Sequence, residues 1–584
     1  MKFNIYKTLV LSSLVLVSAC TDLEEMNIDP YNPPYVPGAS ATDVNPEGID
    51  LDYELSDADL KALKEAESSM GSLFRNLTNE GPYNDYQIAT NLTHDIYSGY
   101  LANNVKSFVE RSPSYVYWDD WSKSRWNHFY NDRLASEYTQ IIKICHFVNP
   151  EKYHNEFYVA RIYFTFLTLM QTDTYGDIPL NYYVKGVLPP DKNMSYMPQK
   201  DVYDTMFQLL DEAIKNIDPA KGLDWGSGDK GTNDRCYGSD INKWLRFANT
   251  LRLRLALRIS NVDPEEAAKQ GKAAIENKYG LMQSNADNMR TVPKCAPVEL
   301  GGEGGGGSEN IYALLFEWNA QTLMSKNLEV AYKGESDKLD PRCEILFWRT
   351  GNYDTNLSKG IDGTGDYVGC PTGNPDIQEA ASTADFSAMK SDLTNKLSLD
   401  DTRWFSQARE LVWMSYAESR FLLAEAALRG WTAQSPETYY LEGVRASMDY
   451  YHIPSAKSEE YISGLKNRTA VSGTDKEAAL KAIITQKWLA IFPNGNEGWA
   501  EFRRTDYPEL ANIVENNSDG EVPEGKFIKR IDYPQSEANN PNRPVQLDNQ
   551  GTKVWWDIAD TNDDEGKRMK PDNFRQGTIS KMFR

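Results

Sequence analysis

The sequence predicts a mainly α-helical fold in which the helices are arranged as pairs. Segments 155–171, 200–217 and 241–259 carry apolar residues every three or four positions, the spacing of one face of a helix. The first of these is apolar on nearly every side, which predicts a central helix. Two more stripes, at 414–428 and 477–491, extend the same pattern to the later part of the chain.

The ends of several helices can also be predicted. Ser56 is a suitable N-cap for a helix that continues to Leu73, and Asn149-Pro150 ends a stripe over 127–148. Gly430 follows the 414–428 stripe, where a left-handed C-terminus favours glycine. Helix pairs joined by short turns are typical of tetratricopeptide repeats, although no repeat consensus is found here.

The chain after its N-terminal segment is predicted to form one domain with an internal insert. We expect one domain over 51–584, with helical pairs at about 51–280 and 400–510 and a loop-rich insert at about 285–400. The insert contains the run from Gly301 to Gly307 and few helical stripes. Long loops in compact proteins are often functional.

Residues 1–19 read as the signal peptide of a lipoprotein. Lys2 and Lys7 form a positive start, and the apolar stretch after them is too short to span a bilayer. Small residues precede Cys20 as in the lipobox of bacterial lipoproteins, which predicts cleavage before Cys20 and its acylation, for example with palmitate. Residues 20–50 then form the anchor and an Asp-, Asn- and Pro-rich tether.

The charge and hydropathy of the chain indicate how it relates to nucleic acid and to the membrane. Lys and Arg number 62 against 85 Asp and Glu, a net charge of −23, which disfavours a polyanion as partner and predicts no binding of nucleic acid. No later segment has the roughly 18 uninterrupted apolar residues of a transmembrane helix, so we expect contact with the membrane through the lipid alone. The acidic residues after Cys20 favour the outer face of the outer membrane.

Motifs for catalysis or metal binding are weak. The histidines lack metal-ligand spacing, and neither a Gly-x-Ser-x-Gly elbow nor a P-loop is present. Asp119-Asp120 is the best carboxylate pair for a glycosidase. Asp560, Asn562 and Asp564 alternate as in an EF-hand, but Glu565 replaces its glycine, so a calcium ion is not indicated and we expect no cofactor. The sequence does not assign disulfide pairs among the five widely spaced cysteines that follow Cys20.

Aromatic clusters are the best functional candidates. Segment 115–121 places four rings among polar residues, and similar clusters surround residues 83–86, 347–354 and 367. A flat aromatic ring can cover the apolar face of a sugar while polar groups bond its hydroxyls. The candidate ligand-binding residues are Tyr86, Trp118, Trp121, Trp348, Tyr353 and Tyr367.

Charged residues on the later helices read as structural. Glu425 and Arg429 form an i,i+4 pair, worth only tenths of a kcal/mol where exposed. Glu497, Glu501, Arg503 and Arg504 indicate an ion-paired helix end, with contact to a partner protein as the alternative.

Five segments, taken in order, resemble the SusD/RagB family of nutrient-binding outer-membrane lipoproteins. They are Thr174 to Pro179, Lys243 to Asn249, Ala417 to Ala426, Glu497 to Arg504 and Arg530 to Pro534. The resemblance covers about 50–575 and agrees with the lipobox. It implies tetratricopeptide-like helix pairs that support an irregular, loop-rich ligand-binding half.

The resemblance also implies a function. A SusD-like protein is not an enzyme; it captures an oligosaccharide or peptide and passes it to a SusC-like TonB-dependent transporter. We expect a glycan as the cargo here. The alternatives are a surface glycoside hydrolase, a peptide-binding SusD-like protein and a helical scaffold without a small ligand.

Overall fold

The computed structural model describes residues 45, 47–79, 86–189, 194–228, 231–291, 322–351, 362–390, 411–511, 513–545 and 549–558. The α-helices of these residues are Asp57–Ala66, Met70–Asn79, His94–Tyr97, Lys106–Val109, Asp119–Asn127, Thr139–Lys143, His154–Tyr175, Asn181–Val184, Gln199–Asn216, Ile241–Arg258, Pro264–Ile275, Lys326–Gly334, Pro341–Leu346, Pro375–Ala380, Tyr416–Leu428, Pro436–Tyr450, Ser455–Ser463, Arg468–Val471, Lys476–Ile491 and Gly495–Thr505. The prediction of a mainly helical fold is confirmed.

Strands are short and form antiparallel pairs. In the described residues the pairs are Leu101–Asn103 with Thr322–Met324, Ser227–Gly228 with Gly231–Thr232, and Met289–Thr291 with Leu411–Met414. Turns of π-helix occur at Gln87–Asn91, His128–Tyr138 and Ile144–Val148, and 3₁₀ turns at Glu67–Ser69, Ser112–Ser114, Asn285–Asp287 and Gln535–Glu537.

Helices that follow one another in the sequence pack against each other. Helix Gln199–Asn216 lies between the nearly all-buried His154–Tyr175 and Ile241–Arg258, which pack around one large apolar core. Helix Tyr416–Leu428 packs in the same way against Pro436–Tyr450 and Lys476–Ile491. The predicted pairing of helices at both ends of the chain is therefore confirmed.

Side-chain caps fix several of the predicted helix ends. The Ser56 hydroxyl accepts a hydrogen bond from the Asp59 backbone N–H, 3.1 Å away. Gly430 has φ +78°, and the N–H groups of Gly430 and Trp431 donate back to the carbonyls of Ala427 and Ala426, the pattern of a Schellman C-terminus. Both helix ends predicted from the sequence are confirmed. The helix predicted to continue from Ser56 to Leu73 is instead interrupted by the 3₁₀ turn Glu67–Ser69.

Two regions are more regular than the sequence predicted. The helix expected to begin near residue 127 begins at Asp119, where two acidic residues in the first turn favour a helix N-terminus. The expected loop-rich insert contains helices Lys326–Gly334, Pro341–Leu346 and Pro375–Ala380, which are too short to produce a clear apolar stripe. The Gly301 to Gly307 run lies outside the described residues.

A network of charged side chains lies inside the core, between the four helices that bear them. The members of this core charge network are Arg254, Arg258, Glu418, Glu425, Lys487, Glu497, Glu501 and Arg504. Arg258 holds Glu497 and Glu501, each at 2.6 Å, and Arg504 holds Glu501 at 2.7 Å. Because buried charges need close partners, the network ties the later helices to Ile241–Arg258.

The ion pairs predicted for Glu425, Glu497, Glu501 and Arg504 are present, but they are buried. Arg503 differs from the prediction: within the described residues it makes no ion pair, and it donates to the Lys529 carbonyl over 2.9 Å and stacks on Trp499. Glu425 lies 2.9 Å from Arg429 and also 2.7 Å from Arg504, and Glu425 is 1 % exposed. Burial tends to raise the pKa of Glu501, but Arg504, Lys487 and Arg258 outweigh this and hold that pKa well below its ordinary value. The small contribution of an exposed pair therefore does not apply to Glu425 and Arg429, because their pair lies within the core.

Nothing in the described part of the chain is a helix long and apolar enough to cross a lipid bilayer. Cys145, Cys236, Cys343 and Cys370 are buried free thiols. Cys295, the fifth cysteine left open by the sequence, lies outside the described residues.

Candidate functional site

Trp118 is the exposed aromatic residue of the 115–121 cluster. Its side chain is 39 % exposed, whereas Tyr115 and Trp121 are only 4 % and 7 % exposed. Within the described ranges, the other large exposed hydrophobic residues are aliphatic, namely Ile377, Val514 and Val545. Trp118 therefore offers a flat ring to a ligand, while its neighbours support it from within.

A tight reversal of the chain brings Arg111 beside Trp118. The 3₁₀ turn Ser112–Ser114 ends at Tyr115, which has a left-handed φ of +63°. The N–H of Val116 then donates to the carbonyl of Arg111 over 3.0 Å, so the chain returns to the point where it entered. Tyr115 tolerates this conformation because its buried ring and its backbone carbonyl, bonded by Gln550, fix it in place.

Arg111 stacks on the tryptophans. Its guanidinium carbon lies 3.5 Å from the ring centroid of Trp118 and 5.3 Å from that of Trp121. Trp121 in turn makes an edge contact with Phe108, at 6.2 Å between centroids. We call Arg111, Trp118 and Trp121 the aromatic–arginine cluster. A cation on the ring face fixes the orientation of an otherwise mobile exposed indole.

The C-terminal segment anchors this cluster. The Asp119 carboxylate accepts a hydrogen bond from the Gln535 backbone N–H over 2.6 Å. The Tyr117 hydroxyl lies 3.0 Å from the same carboxylate and 3.1 Å from the Tyr533 carbonyl oxygen. Ser122 also donates to the Asp532 carbonyl, at 2.7 Å. The first turn of helix Asp119–Asn127 is therefore fixed on residues more than 400 positions away in sequence.

These contacts give the carboxylate pair a structural role. Asp119 accepts hydrogen bonds at the start of a helix, and Asp120 is exposed at the next position. Consecutive helical residues do not face each other, so the two carboxylates are poorly placed to act on one glycosidic bond.

Trp348 and Tyr367 are two candidate residues in the predicted insert. Trp348 is 9 % exposed and packs in a small apolar cluster with Ala102, on the strand that leads toward Arg111. The Lys390 ammonium lies 4.8 Å from the Trp348 ring, and the Arg349 guanidinium 5.3 Å from the Tyr367 ring. Burial raises the pKa of Tyr367 to about 12, so its hydroxyl stays protonated.

Tyr86 lies in the main core. It is 1 % exposed and donates a hydrogen bond to the Asp95 carboxylate. The structure thus brings Trp118 and Trp121 together on Arg111, places Trp348 and Tyr367 beside other cations, and buries Tyr86. Tyr353, the lipidation candidate Cys20 and the acidic loop at Asp560 lie outside the described residues, and these predictions stay predictions.

Asp95 gives the core a testable pH dependence. Burial raises its pKa to about 7, although hydrogen bonds from Tyr86 and Asn91 act in the opposite direction. The folded protein therefore keeps a proton that the unfolded chain loses above about pH 4, so stability falls between about pH 4 and 7. We expect Asp95→Asn to remove this pH dependence of the free energy of unfolding, which amounts to about 4 kcal/mol between pH 4 and 7. Urea unfolding at pH 5, 6, 7 and 8 gives the free energy of unfolding of both proteins. If the difference between variant and wild type were the same at every pH, the prediction would be wrong.

In the described portion, no three His, Cys, Asp or Glu side chains are arranged to hold a metal ion. Burial raises the pKa of the Cys370 thiol to about 12 and those of Cys145 and Cys343 well above their ordinary value.

The sequence did not identify Arg111 as a candidate. Its place beside Trp118 depends on the left-handed Tyr115, and a tyrosine in that conformation has no reliable sequence signal. The aromatic-rich segment itself was identifiable from composition, but not which of its rings is exposed.

Comparison with known proteins adds an independent finding. The family model for SusD-like proteins, described as starch-binding and associating with the outer membrane, matches residues 61–534. A chitin-binding SusD homologue from Flavobacterium johnsoniae is 27 % identical, with a TM-score of 0.66 over 85 % of this chain and 99 % of its own.

Two other solved structures are similar to the chain. A SusD homologue from Parabacteroides distasonis is 26 % identical, with a TM-score of 0.69 over 84 % of this chain and 98 % of its own. One from Bacteroides vulgatus is 25 % identical, with a TM-score of 0.68 over 85 % of this chain and 99 % of its own. Among curated protein sequences, none matches the chain.

Proposed function

Because this chain belongs to the SusD-like family, we propose that it is a cell-surface lipoprotein that binds a glycan and delivers it to a SusC-like TonB-dependent transporter. The family is described by binding and by association with the outer membrane. A binding protein of this kind retains a diffusing oligomer near a pore and breaks no covalent bond. It needs an exposed binding surface and an attachment to the membrane.

The exposed Trp118 in the aromatic–arginine cluster carries the proposal. Its ring is held from one side by Arg111, at 3.5 Å, and stays 39 % exposed. A pyranose has one apolar C–H face, which a flat indole covers, and a rim of hydroxyls, which N–H donors and carboxylates bind. Asp120 and Arg111 supply such groups next to the ring.

The relatives favour a glycan over a peptide. The Flavobacterium johnsoniae homologue is named as chitin-binding, and its alignment covers nearly all of that protein. A cargo of linked sugars also suits a fixed, rigid aromatic ring better than a peptide of variable side chains does. Acylation of Cys20, followed by a tether to about residue 50, would hold the domain at the outer surface.

Calorimetry tests the proposal directly. The soluble fragment 21–584, which retains every described residue, is titrated with panels of oligosaccharides and of peptides. We expect heat of binding from at least one oligosaccharide family and none from the peptides. Binding of peptides alone would contradict the glycan as cargo, and release of reducing sugar overnight would favour the hydrolase instead.

Acylation needs a separate experiment. Cells that express the full chain are fed a radiolabelled fatty acid, and Cys20→Ala is the control. We expect label in the wild-type protein only, in the outer-membrane fraction. Label in both proteins, or in neither, would contradict the predicted anchor.

A further inference from the structure

Arg111 has donors that the protein does not use. Among the residues that the structure describes, its guanidinium stacks on Trp118 and Trp121 and makes neither a side-chain hydrogen bond nor an ion pair. Stacking uses the flat face of a guanidinium and leaves the N–H groups along its edge available. These donors match the two oxygens of a carboxylate or the oxygens of a sulfate.

The lack of an internal partner is notable because carboxylates are abundant. The chain has 85 acidic residues for 62 basic ones, and the arginines of the core charge network each hold a carboxylate within 2.7 Å. Arg111 is half-buried, beside the exposed Trp118, and its own neighbours Asp119 and Asp120 do not bond it. The Asp119 carboxylate is instead occupied by the Gln535 backbone N–H, at 2.6 Å.

The N-terminus of a helix also lies beside Arg111 and Trp118. Helix Asp119–Asn127 begins directly after Trp118, and the Trp118 side chain provides no cap for its N-terminal N–H groups. The N-terminus of a helix carries a partial positive charge. Asp119 and Asp120, in the first turn, offset part of this charge and oppose a negative ligand there, so the contact with the anion depends on Arg111.

We propose that the aromatic–arginine cluster recognises an acidic sugar: Trp118 covers the sugar ring, and Arg111 binds an anionic group on that sugar or on the next one in the chain. The cargo is then an acidic glycan, such as one built from uronic acids, rather than a neutral polysaccharide. The net charge of −23 repels such a cargo at long range, so the selectivity comes from direct contact with Arg111, while salt screens the distant charges. This inference rests on the proposed glycan-binding function and specifies its substrate class. Carboxylate and sulfate share the chemistry that Arg111 selects.

Matched oligosaccharides that differ only in charge test the inference. Fragment 21–584 is titrated with tetragalacturonate and its methyl ester, with a hyaluronan tetrasaccharide and its carboxyl-reduced form, and with sulfated and unsulfated chondroitin tetrasaccharides. We expect at least one acidic member to bind about tenfold or more tightly than its uncharged partner. The pairs that respond distinguish a carboxylate from a sulfate.

Variants assign the effect to Arg111. We expect Arg111→Gln to weaken binding of the acidic member about tenfold more than binding of its neutral partner, which loses only the support that Arg111 gives to the Trp118 ring. Arg111→Lys should recover only part of this difference, because lysine cannot bind in a bidentate manner. Asp120→Asn should strengthen acidic binding a few fold by removing a nearby like charge. Unchanged melting temperatures would exclude misfolding as the cause.

The outcomes separate the inference from the proposed function. If neutral oligosaccharides bind as well as acidic ones, or if Arg111→Gln has no effect on the acidic member, the acidic substrate class is wrong and glycan binding still stands. If no oligosaccharide of either charge binds in this set and in the wider panel, the proposed function itself fails.

Discussion

Replacing Glu501 by glutamine should lower the free energy of unfolding by about 3–5 kcal/mol. Glu501 is 3 % exposed and lies 2.6 Å from Arg258, 2.7 Å from Arg504 and 3.2 Å from Lys487. Glutamine has nearly the same shape but carries no charge, so three buried cations would lose a shared counter-ion. Uncompensated charge inside a protein costs far more than a lost surface contact.

The control is the same substitution in an exposed pair. Glu459 lies 2.6 Å from Arg445, and their side chains are 48 % and 44 % exposed. Exposed pairs contribute at most about 1 kcal/mol, so Glu459→Gln should change stability little. Urea unfolding followed by circular dichroism at pH 7 compares both variants with the wild type. Equal losses in the two variants would contradict a special role for the core charge network.

The helices of this protein were predictable because they depend on local pattern. The stripe over 155–171 predicted the buried helix His154–Tyr175, and Gly430 marked a helix end through its tolerance of positive φ. The short helices of the predicted insert were missed because six to nine residues give too few turns for a periodic signal.

The core charge network was not predictable in its main property, burial. Charged residues on a helix ordinarily face solvent, and Glu497 and Glu501 are no exception in sequence. Their partner Arg258 lies 239 and 243 positions away in the chain, so only the tertiary fold brings the charges together. The candidate site has the same limit, since residues 532–535 fix the first turn that follows Trp118.

Aromatic composition alone could not separate binding residues from core residues. Tyr86 and Trp118 both occur among polar residues in the sequence, yet Tyr86 is 1 % exposed and Trp118 is 39 % exposed. Whether an aromatic ring faces solvent depends on elements that pack on it from elsewhere in the chain.

The second large effect is expected for Trp118→Ala, which should weaken glycan binding about 30-fold or more while leaving the fold intact. A tryptophan that a ligand buries at the centre of a binding surface typically contributes about 2 kcal/mol or more to affinity. Removing this indole deletes the surface that covers the sugar and also the ring on which Arg111 is stacked, 3.5 Å away. Since the ring is exposed in the free protein, its loss leaves no cavity in the core.

Two further variants make the Trp118→Ala result specific. Tyr439→Ala removes another aromatic ring that lies near an arginine, Arg420 at 5.8 Å, but on helix Pro436–Tyr450, away from the cluster; its glycan affinity should stay unchanged. Trp121→Ala removes a ring only 7 % exposed and should lower the melting temperature as well as the affinity. Calorimetry with the best-bound oligosaccharide and thermal unfolding measure both quantities. If Trp118→Ala binds like Tyr439→Ala, the ligand contacts a different surface.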